Sequence, residues 1–149
     1  MPGVNGTNDA LTAAPEAVGL LVVGHGSRRT AANDLLVAVT SAVAERASAD
    51  AVTHAFLEMA RPTIGEGFAE LVGQGCRHVV VHPYFLFPGA HTTTDIPAAL
   101  AEAAASAPGV TWVLTDALDL DPRIIDVVLD RVTAALDSRS APTSLGGPA

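Results

Sequence analysis

The sequence contains no lysine. Its eight basic residues are all arginine and face sixteen acidic ones, for a formal net charge of −8. Such a balance argues against wholesale binding to nucleic acid or to an anionic membrane surface, both of which attract cationic proteins. Cysteine is nearly absent: Cys76 stands alone, so no intramolecular disulfide forms and no oxidising compartment is required. Long apolar runs are missing as well. Mean hydropathy is +0.36, yet no run approaches the roughly 18 residues that span a bilayer. Residues 1–16 hold neither the basic nor the apolar region of a signal peptide. A cytoplasmic protein is expected.

What is present is a chain of 149 residues, 49% hydrophobic and 16% charged. That is the size and composition of one folded domain, not of a disordered chain. Residues 1–16 and 138–149 lack any period and read as disordered ends around a domain at 17–137. Inside it the pattern alternates. Val18 to Val23 is a continuous apolar run closed by Gly24-His25-Gly26, as expected of a strand buried on both faces. Asn33 to Ala47 follows with Leu35, Leu36, Val39 and Val43 at helical spacing. Three more strands are expected at Ala51 to Leu57, His78 to His82 and Val110 to Thr115. The helices between and after them are placed from Ile64 to Val72, from Asp95 to Ser106 with Thr94 or Asp95 as N-cap, and from Arg123 to Leu136 after Asp121 and Pro122. Strands alternating with helices imply a parallel sheet with right-handed crossovers, here a three-layer α/β domain with about four strands.

In such a sheet all strands end on one edge, and ligands bind there. His25, Glu58 and His91 stand just beyond the ends of the first three strands. Two imidazoles and a carboxylate suit a late first-row divalent ion, and the same groups can move protons near neutral pH. Their equal spacing partly restates the strand–helix period. Each also has a plainer reading: a turn residue for His25, a solvated carboxylate for Glu58, a helix cap for His91. His54, His78 and His82 are assigned packing or supporting roles, and Ser27 is expected to donate hydrogen bonds near the start of the first helix.

Familiar loops fail. Gly24-His25-Gly26-Ser27-Arg28-Arg29 lacks the third glycine of a dinucleotide loop and the Gly-Lys-Ser/Thr of a phosphate loop. A histidine-type phosphotransferase would need an arginine at position 24 to clamp phosphate, and glycine stands there.

Three segments taken together resemble a known family. Leu21-Val22-Val23-Gly24-His25-Gly26-Ser27-Arg28, Ala55-Phe56-Leu57-Glu58, and Pro83-Tyr84-Phe85-Leu86-Phe87-Pro88-Gly89-Ala90-His91 are similar to the small CbiX/SirB-type sirohydrochlorin chelatases. Asp95-Ile96-Pro97 also matches that family's Asp-Ile-Pro segment, and the resemblance covers roughly residues 18–136. It implies a chelatase-like αβα domain that inserts Co²⁺ or Fe²⁺ into sirohydrochlorin, in cobalamin or siroheme formation, while related small chelatases handle Ni²⁺. The ion is then a substrate, and no permanently bound cofactor is expected. The resemblance implies that His25 and His91 bind the ion and that His25 accepts a pyrrole proton. Glu58 is a third catalytic candidate. Arg61 and the loop Leu86, Phe87, Pro88, Gly89 and Ala90 correspond to macrocycle-contacting regions, and Arg28 is a further cation on the proposed rim.

The chemistry agrees. Insertion removes pyrrole protons and strips water from the ion, and imidazole holds a metal yet releases it, where several thiolates would not. Cys76 precedes the third strand, at the opposite edge. A polycarboxylate substrate needs local cations despite the net charge, so much of the acid is expected away from the rim, in Asp116 to Asp137. A non-catalytic metal or tetrapyrrole carrier is the rival reading. The resemblance implies a homodimer, longer relatives joining two such units in one chain.

Overall fold

The computed structural model describes residues 15–140. Expectations for 1–14 and for 141–149 lie outside the described residues. The chain forms β1 (Val18–Gly24), α1 (Thr30–Ala44), β2 (Ala51–Phe56), α2 (Ile64–Gly73) and β3 (His78–Pro83). A π-helical turn over His91–Asp95 then leads into α3 (Ile96–Ala105), followed by β4 (Thr111–Leu114) and α4 (Pro122–Ser140). The four strands are parallel in the order β2-β1-β3-β4.

The sheet has two unlike faces, because side chains alternate along each strand. On one, Leu21, Val23, Ala55, Val79 and Val81 pack against Ile64, Phe68 and Leu71 of α2 and Ile96 and Leu100 of α3. This is the main core. On the other, Val22 and Phe56 meet Leu36 of α1 in a smaller cluster. A capping box starts α2: Thr63 Oγ1 accepts from the Glu66 amide, and the Glu66 carboxylate accepts from the Thr63 amide. Gly67 lets α2 approach the sheet, since a Cβ there would lie 2.8 Å from Leu21 Cδ1.

Several expectations shift. Helix α1 begins at Thr30, not Asn33, and buries Leu36 and Thr40, while Leu35 is 69% exposed. Asp95 stands at the N-cap position of α3, as one of the two expected residues, but its side chain makes no capping bond, because helical winding already begins at His91. The amides of Thr92 and Thr93 bond to Gly89 O, so they are engaged within that turn. Helix α4 continues to Ser140, past the expected domain end at Asp137. It buries no residue at all, so the α1 face is clothed over β1 and β2 and left bare over β3 and β4. Cys76 is buried beneath the N-terminal edge, and burial, then the nearby Asp50 charge, pushes its thiol up.

Candidate metal and tetrapyrrole site

Strand order decides which loops meet. Because β1 lies between β2 and β3, the loop after it is flanked by the loops after those strands. Backbone bonds knit the three together: Leu57 N donates to Gly24 O at 2.9 Å, Glu58 N to His25 O at 3.0 Å, and Tyr84 N to Val23 O at 2.7 Å. The β1 loop is held from within by Ser27 and Asn33, whose backbone and amide exchange two hydrogen bonds of 2.9 and 2.8 Å. The Ser27 hydroxyl accepts from the Arg29 amide, the reverse of the expected donor role.

The three residues singled out by position are gathered at one place. His25 Nε2 lies 3.2 Å from Glu58 Oε1, and the His25 and His91 rings stand 5.1 Å apart, centroid to centroid, at 73°. Phe85 lies against both, at 6.3 and 6.4 Å. His25, Glu58 and His91 are all exposed, so the pair opens outward.

Hydrogen bonds fix how each ring presents itself. His91 Nδ1 lies 2.7 Å from Asp95 Oδ2; a carboxylate accepts, so Nδ1 carries the proton and Nε2 keeps its lone pair. A carboxylate behind a histidine is the arrangement that orients metal-binding imidazoles. His25 Nδ1 lies 3.0 Å from Gly26 O and is likewise the donor. Its Nε2 therefore faces the Glu58 carboxylate with a lone pair, an opposition relieved only by a proton or a metal ion between them. Two imidazoles on one tetrahedral ion have ring centroids about 5 Å apart, which the observed spacing fits. Among the described residues no three His, Cys, Asp or Glu side chains close around one point as a cage. The arrangement is a pair with open positions.

Other expected residues are placed less directly. Arg61 is exposed but paired with the Glu66 carboxylate, which raises the guanidinium pKa and lowers that of Glu66. Arg28 is exposed and makes no ion pair among the described residues. Leu86, Phe87, Pro88, Gly89 and Ala90 form an exposed loop, with Phe87 68% accessible. The acidic stretch is not wholly remote: Asp116 follows β4 at this same edge, and Asp119 N bonds to Leu86 O. A groove of about 430 Å³ opens beside His25, walled by Leu35, Leu36, Val39, Phe56 and Tyr84. Asp95 and Phe85 were not anticipated as site residues. The i,i+4 spacing of His91 and Asp95 was the available signal, hidden because the segment reads as a loop.

The CbiX family model matches residues 19–135. The chain belongs to the CbiX family. It is 39% identical over 121 residues to a chloroplastic sirohydrochlorin ferrochelatase of Arabidopsis thaliana, covering 81% of this chain and 54% of that protein. It is 32% identical to a sirohydrochlorin cobaltochelatase of Methanothermobacter thermautotrophicus, covering 80% and 93% of the two chains. The cobalt complex of the sirohydrochlorin chelatase SirB from Bacillus subtilis subspecies spizizenii superposes with a TM-score of 0.77 at 32% identity, over 79% of this chain and 50% of that one. This CbiX-family chain thus spans about half the length of the Arabidopsis and Bacillus proteins and nearly all of the Methanothermobacter one.

Proposed function

We propose that this CbiX-family protein is a chelatase that inserts Co²⁺ or Fe²⁺ into sirohydrochlorin, releasing two protons. The observation that carries the proposal is the His25–His91 pair, with both Nδ1 atoms tied to acceptors, the His91 Nε2 left to bind and the His25 Nε2 facing the Glu58 carboxylate. His91, oriented by Asp95, holds the incoming ion. His25 shares that ion, and once the ion has passed to the macrocycle its freed Nε2 takes the two pyrrole protons in turn, Glu58 at 3.2 Å receiving each and passing it to water. Two nitrogen ligands and an open front let the ion transfer, where a closed cage would retain it.

The macrocycle lies over this rim. The apolar groove beside His25 and the exposed Leu86 and Phe87 offer area for its ring face. Arg28 meets a peripheral carboxylate, and Arg61 does so by exchanging the Glu66 carboxylate for one on the substrate. The protein acts as a homodimer, a reading that rests on the family resemblance. One buried thiol and no possible intramolecular disulfide fit action in the cytoplasm.

The test is the visible spectrum of sirohydrochlorin with Co²⁺ or Fe²⁺ and the protein at a small fraction of the substrate concentration. Many turnovers per protein, faster than the protein-free reaction, are expected. Spectral change that stops at one equivalent would make the protein a carrier instead.

A further inference from the structure

Each imidazole of the pair is tied by one hydrogen bond. His25 Nδ1 bonds to the carbonyl of its own neighbour, Gly26, and His91 Nδ1 to the carboxylate of Asp95. Neither bond joins one ring to the other, and the two side chains are 44% and 46% exposed. The contact of His25 Nε2 with Glu58 opposes two acceptors and is no tether. A bond at Nδ1 fixes one atom, and the rest of the ring can still tilt about it. Two lone pairs that meet on one ion need placement to within about 0.5 Å. Something else has to set how far apart the rings stand.

Phe85 is placed to do so. Its ring centroid lies 6.3 Å from that of His25 at 66° and 6.4 Å from that of His91 at 41°, while the imidazoles stand 5.1 Å apart. All three separations are those of favourable edge and tilted ring contacts. Among the described residues no other aromatic ring lies against both histidines. Its anchorage is firmer than theirs. Phe85 is half-buried and packs on the main core, so close-packed side chains back it. Its backbone is held from two directions: Phe85 N donates to Pro83 O, and Phe85 O accepts from Leu118 N in the segment after β4, both at 2.9 Å. The adjoining Leu86 carbonyl accepts from Asp119 N in the same way. The rigid core thus reaches the rim through one ring.

We propose that Phe85 is a positioning residue for the metal ion: it backs both imidazoles and holds them at the separation at which they share one ion. The inference rests on the metal-binding reading of the pair above and adds the side chain that makes two separately mounted rings a pair. In this role Phe85 supplies no ligand. Without it, binding has to order two tilting rings, each with a loss of side-chain freedom, and affinity for the ion falls by about tenfold or more. The effect needs both rings, since a single imidazole has no partner to be spaced from. A side chain that only filled core volume would act on the fold whichever histidines were present.

Calorimetric titration of the full chain with Co²⁺ alone, in a double-mutant cycle, tests this. Phe85→Leu keeps the core filled and removes the flat ring. Phe85→Met does the same with another shape, should circular dichroism show the leucine variant unfolded. In the chain with both histidines the substitution is expected to weaken Co²⁺ binding by about tenfold or more. In a His25→Ala chain the same substitution should change it by less than about twofold. Steady-state insertion should show the KM for Co²⁺ raised and the KM for sirohydrochlorin unchanged. Wild-type Co²⁺ affinity after the substitution, an equal loss in both backgrounds, or a rise in both KM values would overturn the role of Phe85 and leave the pair standing. Wild-type affinity in His25→Ala itself would overturn the pair as the metal site, and this inference with it.

Discussion

A Cβ on residue 26 would lie 1.7 Å from the carbonyl oxygen of Glu58, and the backbone there has φ of +93°. Both facts demand glycine, and both concern the same contact: the β1 loop and the β2 loop pressed together so that His25 reaches Glu58. Gly26→Ala is expected to cost roughly 2–4 kcal/mol of stability in urea unfolding, through steric overlap and a disfavoured backbone. Wild-type unfolding midpoints in that variant would contradict the packing. Asp95 makes a second residue-scale case. Asp95→Ala leaves the His91 ring free to rotate, and a 10–100-fold loss of metal affinity or activity is expected, with the melting temperature little changed. Asp95→Asn keeps an acceptor for Nδ1 and should recover part of that loss; equal defects in the two variants would argue against orientation of the ring. That His25, Glu58 and His91 come together was legible in the sequence because strand ends in a parallel sheet share an edge. Asp95 and Phe85 were not, since their roles depend on a π-helical turn and a loop path that no hydrophobic period encodes.

At the scale of elements, the strands were legible because β1, β2 and β3 are short apolar runs bounded by turns. Their expected ends differ from the observed ones by about a residue. Helix starts were less legible. The Thr63-x-x-Glu66 pattern that caps α2 was in plain view, whereas the His91–Asp95 turn hides the true start of the winding before α3. The bare strip on β3 brings a pH dependence. Partial burial holds the His82 imidazole pKa below its usual value, and its Nδ1 meets Thr115 Oγ1 at 2.8 Å. Above about pH 6.5 the ring is neutral in both folded and unfolded chains and contributes no slope. As pH falls below that, the unfolded chain binds a proton that the folded one resists, so stability declines until the folded ring protonates too. Melting temperatures between pH 7.5 and 5 should therefore fall less steeply in His82→Gln than in the wild type. Parallel slopes would show that His82 does not take part.

For the whole molecule, the net charge of −8 sets the partners aside less sharply than it first suggests. Six of the ten aspartates fall between Asp116 and Asp137, but Asp116 and Asp119 sit at the active edge itself, so only the acids of α4 are carried away from it. A polycarboxylate substrate then depends on a few arginines, and Arg28→Ala is expected to raise KM severalfold with little change in kcat, more so at low salt. A change confined to kcat would move Arg28 from binding to chemistry. The fold class was legible from alternation alone, but the detachment of α4 was not. Its apolar stripe reads in sequence as the face of a helix that covers its own sheet, yet α4 has no buried residue.

The paired imidazoles are the centre of the account, and one comparison addresses them directly. Multiple-turnover metal insertion into sirohydrochlorin is followed by absorbance from pH 8 to pH 5 for the wild type, His25→Ala and His91→Ala, each first shown to be folded by circular dichroism. Imidazole protonated on both nitrogens cannot ligate, so the wild-type rate should fall as the pH is lowered. Both variants should lose at least about 100-fold at every pH where the wild type is active. Folded variants that turn over at the wild-type rate, or a wild-type rate flat across that range, would contradict it.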